Sequence, residues 1–222
     1  SYDSPSVLLA HAEREVLRMA DIVLSMVKDS FQLFKGENKD LYEDIKERDN
    51  KVDLLNREIS LFLTQHMENS ESTDYDQMIR LISFVADLES AADVVDKNIV
   101  HLAGKKQNLK VDFSQQGWDE LKKMHQMVVE LMELSILAFQ RKDPRLGEQV
   151  LYLKRKIRVL EKNLRETHIE RLIAGKKESI NTSSIHMDVL AEYRRIAGLM
   201  SNHVYSLVGT TDRYSLLHKT EE

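Results

Sequence analysis

Hydrophobic residues recur along most of the chain at intervals of three and four positions, in long runs that short polar segments interrupt. This spacing places the apolar side chains on one face of an α-helix, so each run predicts an amphipathic helix. Six long helices are predicted in this way. No run of alternating β-branched residues indicates a strand, and we therefore expect an all-α fold.

The ends of the first three helices are marked by residues that favour helix starts or stops. The first helix is predicted over 6–35 and ends at Gly36, where a left-handed backbone costs little. The second helix follows directly. A polar loop over 68–73 leads to Asp74 as the N-cap of the third helix, which is expected to end at Gly104.

The second half of the chain carries the same kinds of signal after a weakly patterned segment, 105–114, which is predicted to be a linker. Side chains that accept hydrogen bonds from the first backbone N–H groups of a helix predict three more starts. These are Ser114, Asp143 (followed by Pro144), and Thr182 or Ser183. The fifth helix is expected to end at Gly175 and the sixth near residue 208, with a flexible tail over 209–222.

The two halves of the chain are related by a constant offset. Phe34 aligns with Phe139, an offset of 105 (139 − 34), and the same offset keeps apolar positions in register across all three helices. A fixed period of this kind indicates a tandem duplication. Long helices with short connections favour up-down-up packing, so we expect two antiparallel three-helix bundles, residues 1–104 and 115–208.

The composition and the charge pattern exclude or disfavour several classes of function. With 0 Cys the chain cannot build disulfides, cysteine zinc sites or a cysteine nucleophile, and its 7 Gly form no phosphate-binding loop motif. A net charge of −5 with interleaved signs disfavours nucleic-acid binding, and no charge-free segment is long enough to span a membrane. The 8 His form no HExxH motif, so we assign them to the surface or to helix edges.

Two pairs of acidic residues are the strongest candidates for chemistry. Asp49 and Asp53 on the second helix are four residues apart, as are Glu89 and Asp93 on the third, so each pair lies on one helix face. Like charges at this spacing repel each other unless a cation lies between them, and carboxylate oxygens suit a hard metal ion. If the two faces do not meet, the four residues are ordinary solvated acids.

The second repeat carries basic residues where the first carries acids. The offset of 105 places Lys154, Arg158 and Arg194 at three of the four acidic positions. This trio is a candidate anion site, for phosphate in particular, because an arginine guanidinium can bind phosphate through two parallel hydrogen bonds. The alternative is that Glu161, Glu192 and Asp188 neutralise these charges in surface ion pairs.

The acidic motifs also carry a family resemblance. The stretch Asp87-Leu-Glu-Ser-Ala-Ala-Asp93 resembles the E-x-x-x-D signature of PhoU domains, and the stretch Asp-Asn-Lys-Val-Asp at 49–53 resembles its partner motif. PhoU proteins are pairs of three-helix bundles, and members of the family hold multinuclear metal clusters through these motifs. The resemblance implies the same tandem fold, with a divalent or ferric metal on the first bundle and none on the second. The implied ligands are Asp49, Asp53, Glu89 and Asp93, with Asp87 and Asp96 as secondary ones.

Two further segments, 11–20 and 185–196, are similar to the PhoU-like cytoplasmic domain of bacterial sodium/phosphate cotransporters. This resemblance implies a non-enzymatic regulatory domain of phosphate transport, on the cytoplasmic side of the inner membrane within a longer membrane protein. Its expected partners are the membrane domain of the transporter, another protein or a second copy of the chain. The alternatives are a stand-alone, soluble cytoplasmic PhoU-type phosphate-signalling regulator, a metal-free helical interaction module, and a metal-dependent hydrolase built on the acidic residues.

Overall fold

The regular structure of the protein is helical throughout the residues that the structure, a computed structural model, describes: 4–67, 72–175 and 177–209. In these ranges the chain forms eight α-helices: α1 (Pro5–Ser30), α2 (Lys39–Met67), α3 (Ser72–Asp93), α4 (Val100–Asn108), α5 (Gln115–Arg141), α6 (Pro144–Ile173), α7 (Lys177–Ser201) and α8 (Val204–Val208). A 3-10 turn, Phe31–Lys35, extends α1, and a π-helical turn, Val94–Ile99, joins α3 to α4. The predicted all-α fold class is confirmed.

The helices form two three-helix units that follow the same order. In the first unit α1, α2 and α3 pack against one another, and in the second unit α5, α6 and α7 do the same, with α8 packing on α6. The second and third helices of the two units start 105 residues apart: α2 begins at Lys39 and α6 at Pro144 (144 − 39), and α3 begins at Ser72 and α7 at Lys177 (177 − 72). The duplicated bundle predicted from the repeat is therefore the observed architecture, and the apolar faces of both units meet in one continuous core.

Local capping explains where the helices of the second unit begin. The Ser114 hydroxyl accepts a hydrogen bond from the Gly117 N–H at 3.0 Å, and the Asp143 carboxylate accepts one from the Arg145 N–H at 2.9 Å. Pro144 follows at the first helical position, where its missing N–H leaves no bond unmade. The predicted starts of α5 and α6 are confirmed.

Two predicted boundaries in the first unit are wrong. α3 begins two residues before Asp74, which therefore lies in the first turn, and residues 68–71 of the predicted loop lie outside the described residues. Gly104 does not end the third helix, because α4 continues through it to Asn108 and so into the segment predicted as a linker. A glycine inside a helix costs about 1 kcal/mol, and burial of the adjacent Ala103 offsets that cost.

The last predicted helix also differs. α7 begins at Lys177, and the predicted caps Thr182 and Ser183 lie inside it with buried side chains. Small polar residues can either cap a helix or pack inside a bundle. Because both side chains are buried within α7, they pack inside the bundle. A turn at 202–203 then separates α7 from α8. The predicted tail from residue 210 onward lies outside the described residues.

Buried polar and aromatic contacts join the two units. The Ser30 hydroxyl of α1 lies 2.7 Å from the hydroxyl of the fully buried Tyr193 of α7. His125 Nε2 of α5 lies 2.9 Å from a backbone carbonyl oxygen of α1, and the rings of Phe84 and Phe139 stack with centroids 4.2 Å apart. Because buried polar groups are costly unless paired, these contacts favour one relative placement of the two bundles.

Candidate metal centre and associated pockets

The four predicted acidic residues converge between α2 and α3. Asp49 and Asp53 lie one turn apart on α2, and Asp93 is the last residue of α3; one carboxylate oxygen from each lies within 4.8 Å of the others. Glu89, one turn before Asp93, is close enough to interact with Asp93 and with Asp53. The two acidic helix faces therefore meet, which is the arrangement that a shared cation requires.

The backbone geometry changes beside these residues. Directly after Asp93 the helix makes the π-helical turn Val94–Ile99, and such turns are rare and frequently found at functional sites. Asp96 lies in this turn, and its carboxyl group is close enough to that of Asp49 to share a proton. Asp87 instead accepts a hydrogen bond at 3.1 Å from the turn between α7 and α8. We use the name acidic cluster for Asp49, Asp53, Glu89, Asp93 and Asp96.

Asp49 has the least favourable environment in the acidic cluster. Its side chain is 5% exposed, and its Oδ1 has no hydrogen-bond partner in the described part of the chain. Burial, followed by the negative charges of the three neighbouring aspartates, raises the pKa of Asp49 to about 7. Burial also raises the pKa of Glu89. The exposed Lys97 Nζ, 3.2 Å from Asp93, supplies a positive charge at the edge.

The donor set of the acidic cluster fits a hard cation. All five side chains offer carboxylate oxygens, which Mg²⁺, Ca²⁺, Mn²⁺ and ferric iron prefer over softer ligands. A cation held by Asp49, Asp53 and Asp93, with Glu89 and Asp96 beside them, would provide a partner for the orphaned Asp49 Oδ1. It would also relieve the repulsion between carboxylates that raises the pKa of Asp49.

At the equivalent place in the second unit the structure has a pocket of about 520 Å³ between α6, α7 and α8. Its lining includes the residues at an offset of 105 from the four predicted acids, which are Lys154, Arg158, Arg194 and Gly198. Arg155 and Arg195 also line it, together with apolar side chains. The structure thus brings the three predicted basic residues together, in what we call the basic pocket.

The charges of the basic pocket are only partly neutralised. Arg194 lies 3.0 Å from Glu161, a buried carboxylate, so the predicted pairing of these two residues is observed. Lys154 donates a hydrogen bond to the Tyr205 hydroxyl at 2.9 Å, which leaves its charge uncompensated. Arg158 forms no ion pair within the described ranges. The pocket therefore offers positive charge beside an apolar floor, which suits an anionic ligand.

The assignment of the histidines to the surface or to helix edges is wrong for several of them. His168, His186 and His203 are buried, and His168 and His186 lie beside Glu120 in the second unit. No motif reveals this group, because three different helices contribute one residue each. The repeat contains a signal all the same: the offset of 105 aligns both His168 and His186 with leucines that are buried in the first unit.

The electrostatics around these histidines favour a neutral imidazole beside an ionised carboxylate. Burial lowers the pKa of His186 to about 4 and outweighs the hydrogen bond to the Gly117 carbonyl oxygen, which acts in the opposite direction. Burial alone would raise the pKa of Glu120, but the hydrogen bond from His168 and the charge of Arg171 outweigh it and lower that pKa. At neutral pH the group therefore holds lone pairs on His186 and a negative charge on Glu120.

The fold and the acidic cluster define a class of protein: a duplicated three-helix bundle with acidic motifs on its second and third helices. The model of the family described as the PhoU domain matches this chain twice, over residues 16–100 and 121–206. The chain therefore belongs to the PhoU domain family, and the resemblance carried by the acidic motifs is confirmed. The two matches begin 105 residues apart (121 − 16), as the tandem duplication requires.

Curated relatives include proteins named "Putative inorganic phosphate export protein YjbB". That of Escherichia coli K12 is 26% identical and that of Salmonella typhimurium 24% identical, each over 212 residues. These alignments cover 95% of this chain and 39% of each relative. The chain thus spans about two fifths of the length of these relatives.

Solved structures share the whole architecture. PhoU from Pseudomonas aeruginosa superposes with a TM-score of 0.82 at 18% identity, covering 92% of this chain and 97% of that one. The phosphate transport system regulatory protein PhoU from Streptococcus pneumoniae gives a TM-score of 0.80 at 17% identity, covering 92% and 95%. At these identities the comparison establishes the fold alone. No helix in the described ranges combines the length and the hydropathy needed to cross a bilayer.

Proposed function

We propose that this chain is a regulatory domain of phosphate transport that acts without catalysis and holds a hard metal ion in its acidic cluster. Its membership of the PhoU family and its similarity to proteins named as phosphate exporters support the regulatory role. We place it on the cytoplasmic side of the inner membrane, as part of a longer transporter of the sodium/phosphate cotransporter type. The 39% coverage of the YjbB relatives supports this placement.

The observation that carries the metal proposal is the state of Asp49. A carboxylate that is 5% exposed, with an unpartnered oxygen and three acidic neighbours, destabilises the fold unless a cation compensates it. The π-helical turn places Asp96 beside Asp49, which increases this repulsion. A divalent or ferric ion would supply the compensation and would link α2 to the end of α3. The resulting rigid pair of bundles would present a constant surface to the transporter.

The metal is tested by reconstituting the purified chain and measuring bound metal by elemental analysis. With manganese as the only metal supplied, a hard ion that prefers carboxylate oxygens, we expect stoichiometric manganese in the unmodified chain and none in an Asp49→Asn/Asp93→Asn variant, because the substitutions keep the side-chain shape but remove two charged ligands. A Glu43→Gln/Glu47→Gln variant is the matched control, since both glutamates are exposed on the same helix. An unmodified chain that takes up no metal would leave the metal-free interaction module as the better description.

The regulatory role is tested separately, in cells. Removing the coding region for these residues should change phosphate export or its regulation, whereas unchanged phosphate flux would contradict the role. An antibody against the chain distinguishes the two forms that the domain can take. As part of a transporter, the native protein is larger than 25.8 kDa and sediments with membranes. A protein of about that mass in the soluble fraction would show a stand-alone regulator, the alternative that the 97% coverage of Pseudomonas aeruginosa PhoU favours.

A second proposal concerns the basic pocket, which we infer binds inorganic phosphate. The three basic residues Lys154, Arg158 and Arg194 line it together, and among the contacts of the described residues Arg194 alone of the three is paired with a carboxylate. Calorimetric titration with phosphate should give binding that Arg158→Ala weakens. Arg141→Ala, which removes an exposed arginine at the end of α5, should leave the binding unchanged. Equal heats for the Arg158→Ala variant and the unmodified chain would refute the site.

A further inference from the structure

The second unit contains a buried group of ligand-type side chains from three helices. α5 contributes Glu120, α6 contributes His168 and α7 contributes His186, and we call them the histidine cluster. One nitrogen of each histidine and one oxygen of the glutamate lie within 4.8 Å of each other. His168 Nε2 is 3.3 Å and His186 Nε2 is 3.9 Å from Glu120 Oε2. The histidine cluster and the acidic cluster lie in different bundles, so a ligand site here is independent of the proposed function.

Several polar atoms of the histidine cluster are buried without partners in the described part of the chain. They are the Nδ1 atoms of His168 and His186, while His168 Nε2 and Glu120 Oε2 have no partner other than each other, 3.3 Å apart. The two histidines are only 4% and 1% exposed. Buried polar atoms nearly always have a hydrogen-bond partner or a ligand, so a concentration of unpaired lone pairs in one place indicates that something binds there.

The other polar atoms of His186 and Glu120 are hydrogen-bonded to neighbouring groups, as the side chains that bind metals usually are. His186 Nε2, the nitrogen that lies 3.9 Å from Glu120 Oε2, donates a hydrogen bond to the Gly117 carbonyl oxygen at 2.8 Å, so the nitrogen that keeps an unpaired electron pair is Nδ1. Arg171 donates to Glu120 Oε1, and Oε2 faces the two histidines. Metal-binding histidines usually donate their second N–H to a carbonyl or carboxylate, and metal-binding carboxylates are themselves hydrogen-bonded.

The first unit shows that the fold does not need these histidines. The offset of 105 aligns His168 with Leu63 and His186 with Leu81, and both leucines are buried. Apolar residues therefore fill this layer of the bundle in one half of the same chain. In the second unit, histidines occupy positions where leucine also fits, and they leave buried polar atoms without partners. Burying such atoms costs free energy, so a compensating interaction is expected.

We propose that the histidine cluster binds a divalent transition-metal ion of the zinc type through His168, His186 and Glu120. Two imidazoles and one carboxylate suit zinc and its neighbours, whereas magnesium and calcium prefer all-oxygen sites such as the acidic cluster. The protein would then carry two metal centres of different chemistry, one in each bundle.

Cobalt(II) tests the site, because this ion absorbs visible light strongly in tetrahedral coordination and weakly in octahedral coordination. The protein used is the full chain carrying Asp49→Asn/Asp93→Asn, which disables the acidic cluster and separates this test from that of the proposed function. We expect stoichiometric cobalt with strong visible absorption that zinc abolishes by displacement. His168→Leu/His186→Leu, which copies the first unit, should fold normally and lower the affinity by more than about 100-fold.

His101→Ala is the matched control, since His101 is exposed on α4, and it should leave the cobalt spectrum unchanged. If the double leucine variant lost its circular dichroism signal, Glu120→Gln would replace it, because glutamine keeps the shape and removes the charged ligand. Absence of strong absorption in the full chain would overturn the proposal. So would equal cobalt affinity in a folded ligand variant.

Discussion

The two repeats of this protein share one fold and one register, yet they carry opposite charges at the same place. Where the first unit has the acidic cluster, the second has the basic pocket, and the offset of 105 places Lys154, Arg158 and Arg194 at the positions of Asp49, Asp53 and Glu89. These positions flank the apolar faces of the second and third helices. Because the core holds the bundle together, residues on this flank can change sign without loss of the fold.

The backbone is irregular at the same place in both repeats. The first unit has the π-helical turn Val94–Ile99, whose counterpart at 199–204 includes the turn that separates α7 from α8. In the first unit the helix continues into α4, whereas in the second it is interrupted. A departure from regular α-helix therefore accompanies both the acidic cluster and the basic pocket, and the side chains determine which kind of ion each can hold.

The largest change in the free energy of unfolding is expected from substitutions at the contact between the two units. This experiment tests whether the two bundles unfold independently. Tyr193 is fully buried and bonded to Ser30, so Tyr193→Ala should lower the free energy of unfolding by about 3–5 kcal/mol through the cavity it leaves. Tyr193→Phe removes only the hydroxyl and should cost about 1 kcal/mol. Urea unfolding followed by circular dichroism measures both values.

The fluorescence of Trp118, in the second unit, provides the control for this experiment. If the bundles unfold as one body, fluorescence and circular dichroism give the same midpoint in the unmodified chain. Two separate midpoints would show that each repeat is stable alone and that the joint is weak. In that case Tyr193→Ala would shift only the unfolding transition of the second unit, to which Tyr193 belongs.

The next effect distinguishes the acidic cluster from ordinary surface acids. In protein freed of metal by a chelator, Asp49→Asn should raise the free energy of unfolding at pH 8 by about 2 kcal/mol, because it removes a buried charge among like charges. The gain should shrink on acidification. Asp49 binds its proton up to about pH 7 in the folded state but only to about pH 4 when unfolded, so stability falls as pH rises through this window.

Urea unfolding of both proteins at pH 5 and pH 8 measures this difference. The unmodified, metal-free chain should lose stability between the two values more steeply than the Asp49→Asn variant does. Parallel pH profiles would mean that the ionised Asp49 carboxylate does not destabilise the folded state. The main argument for a metal ion would then fail with it.

A smaller difference in stability is expected between two arginines of the basic pocket, one that forms an ion pair and one that forms none in the described ranges. Arg194→Ala removes a partner of the buried Glu161 and should cost about 1 kcal/mol, since Arg165 still pairs with that carboxylate. Arg158→Ala breaks no ion pair in the described ranges and should change stability by less than about 0.5 kcal/mol. Thermal unfolding compares the two, and equal destabilisation would contradict the assignment.

Sequence reasoning succeeded where the cause of a structure is local. The starts of α5 and α6 follow from Ser114 and from Asp143 before Pro144, since a cap involves only a few consecutive residues. The duplicated bundle follows from periodicity and from the constant offset. Gly104 was predicted to end a helix because glycine has a weak helical preference, but packing of the surrounding turn overrides that preference.

The parts of the candidate sites that escaped prediction depend on contacts between distant segments. Asp96 joins the acidic cluster through a π-helical turn, which a search for regular helical spacing does not detect. Glu120, His168 and His186 come from three helices, so no motif contains them. Comparison of the two repeats would have revealed the histidines, because core positions that are leucine in one copy and histidine in the other stand out.

The smallest effect concerns Lys97, at the edge of the acidic cluster. Lys97 is exposed and lies 3.2 Å from Asp93, so its charge competes with a metal ion for that carboxylate. Exposed ion pairs contribute little, and Lys97→Ala should therefore strengthen metal binding by no more than about fivefold. Metal titration with Lys46→Ala, an exposed lysine on α2, as the control measures the gain. Weaker binding in Lys97→Ala would mean that the lysine supports the acidic cluster instead of competing for it, and the cluster would then be better described as a lysine-compensated surface than as a metal centre.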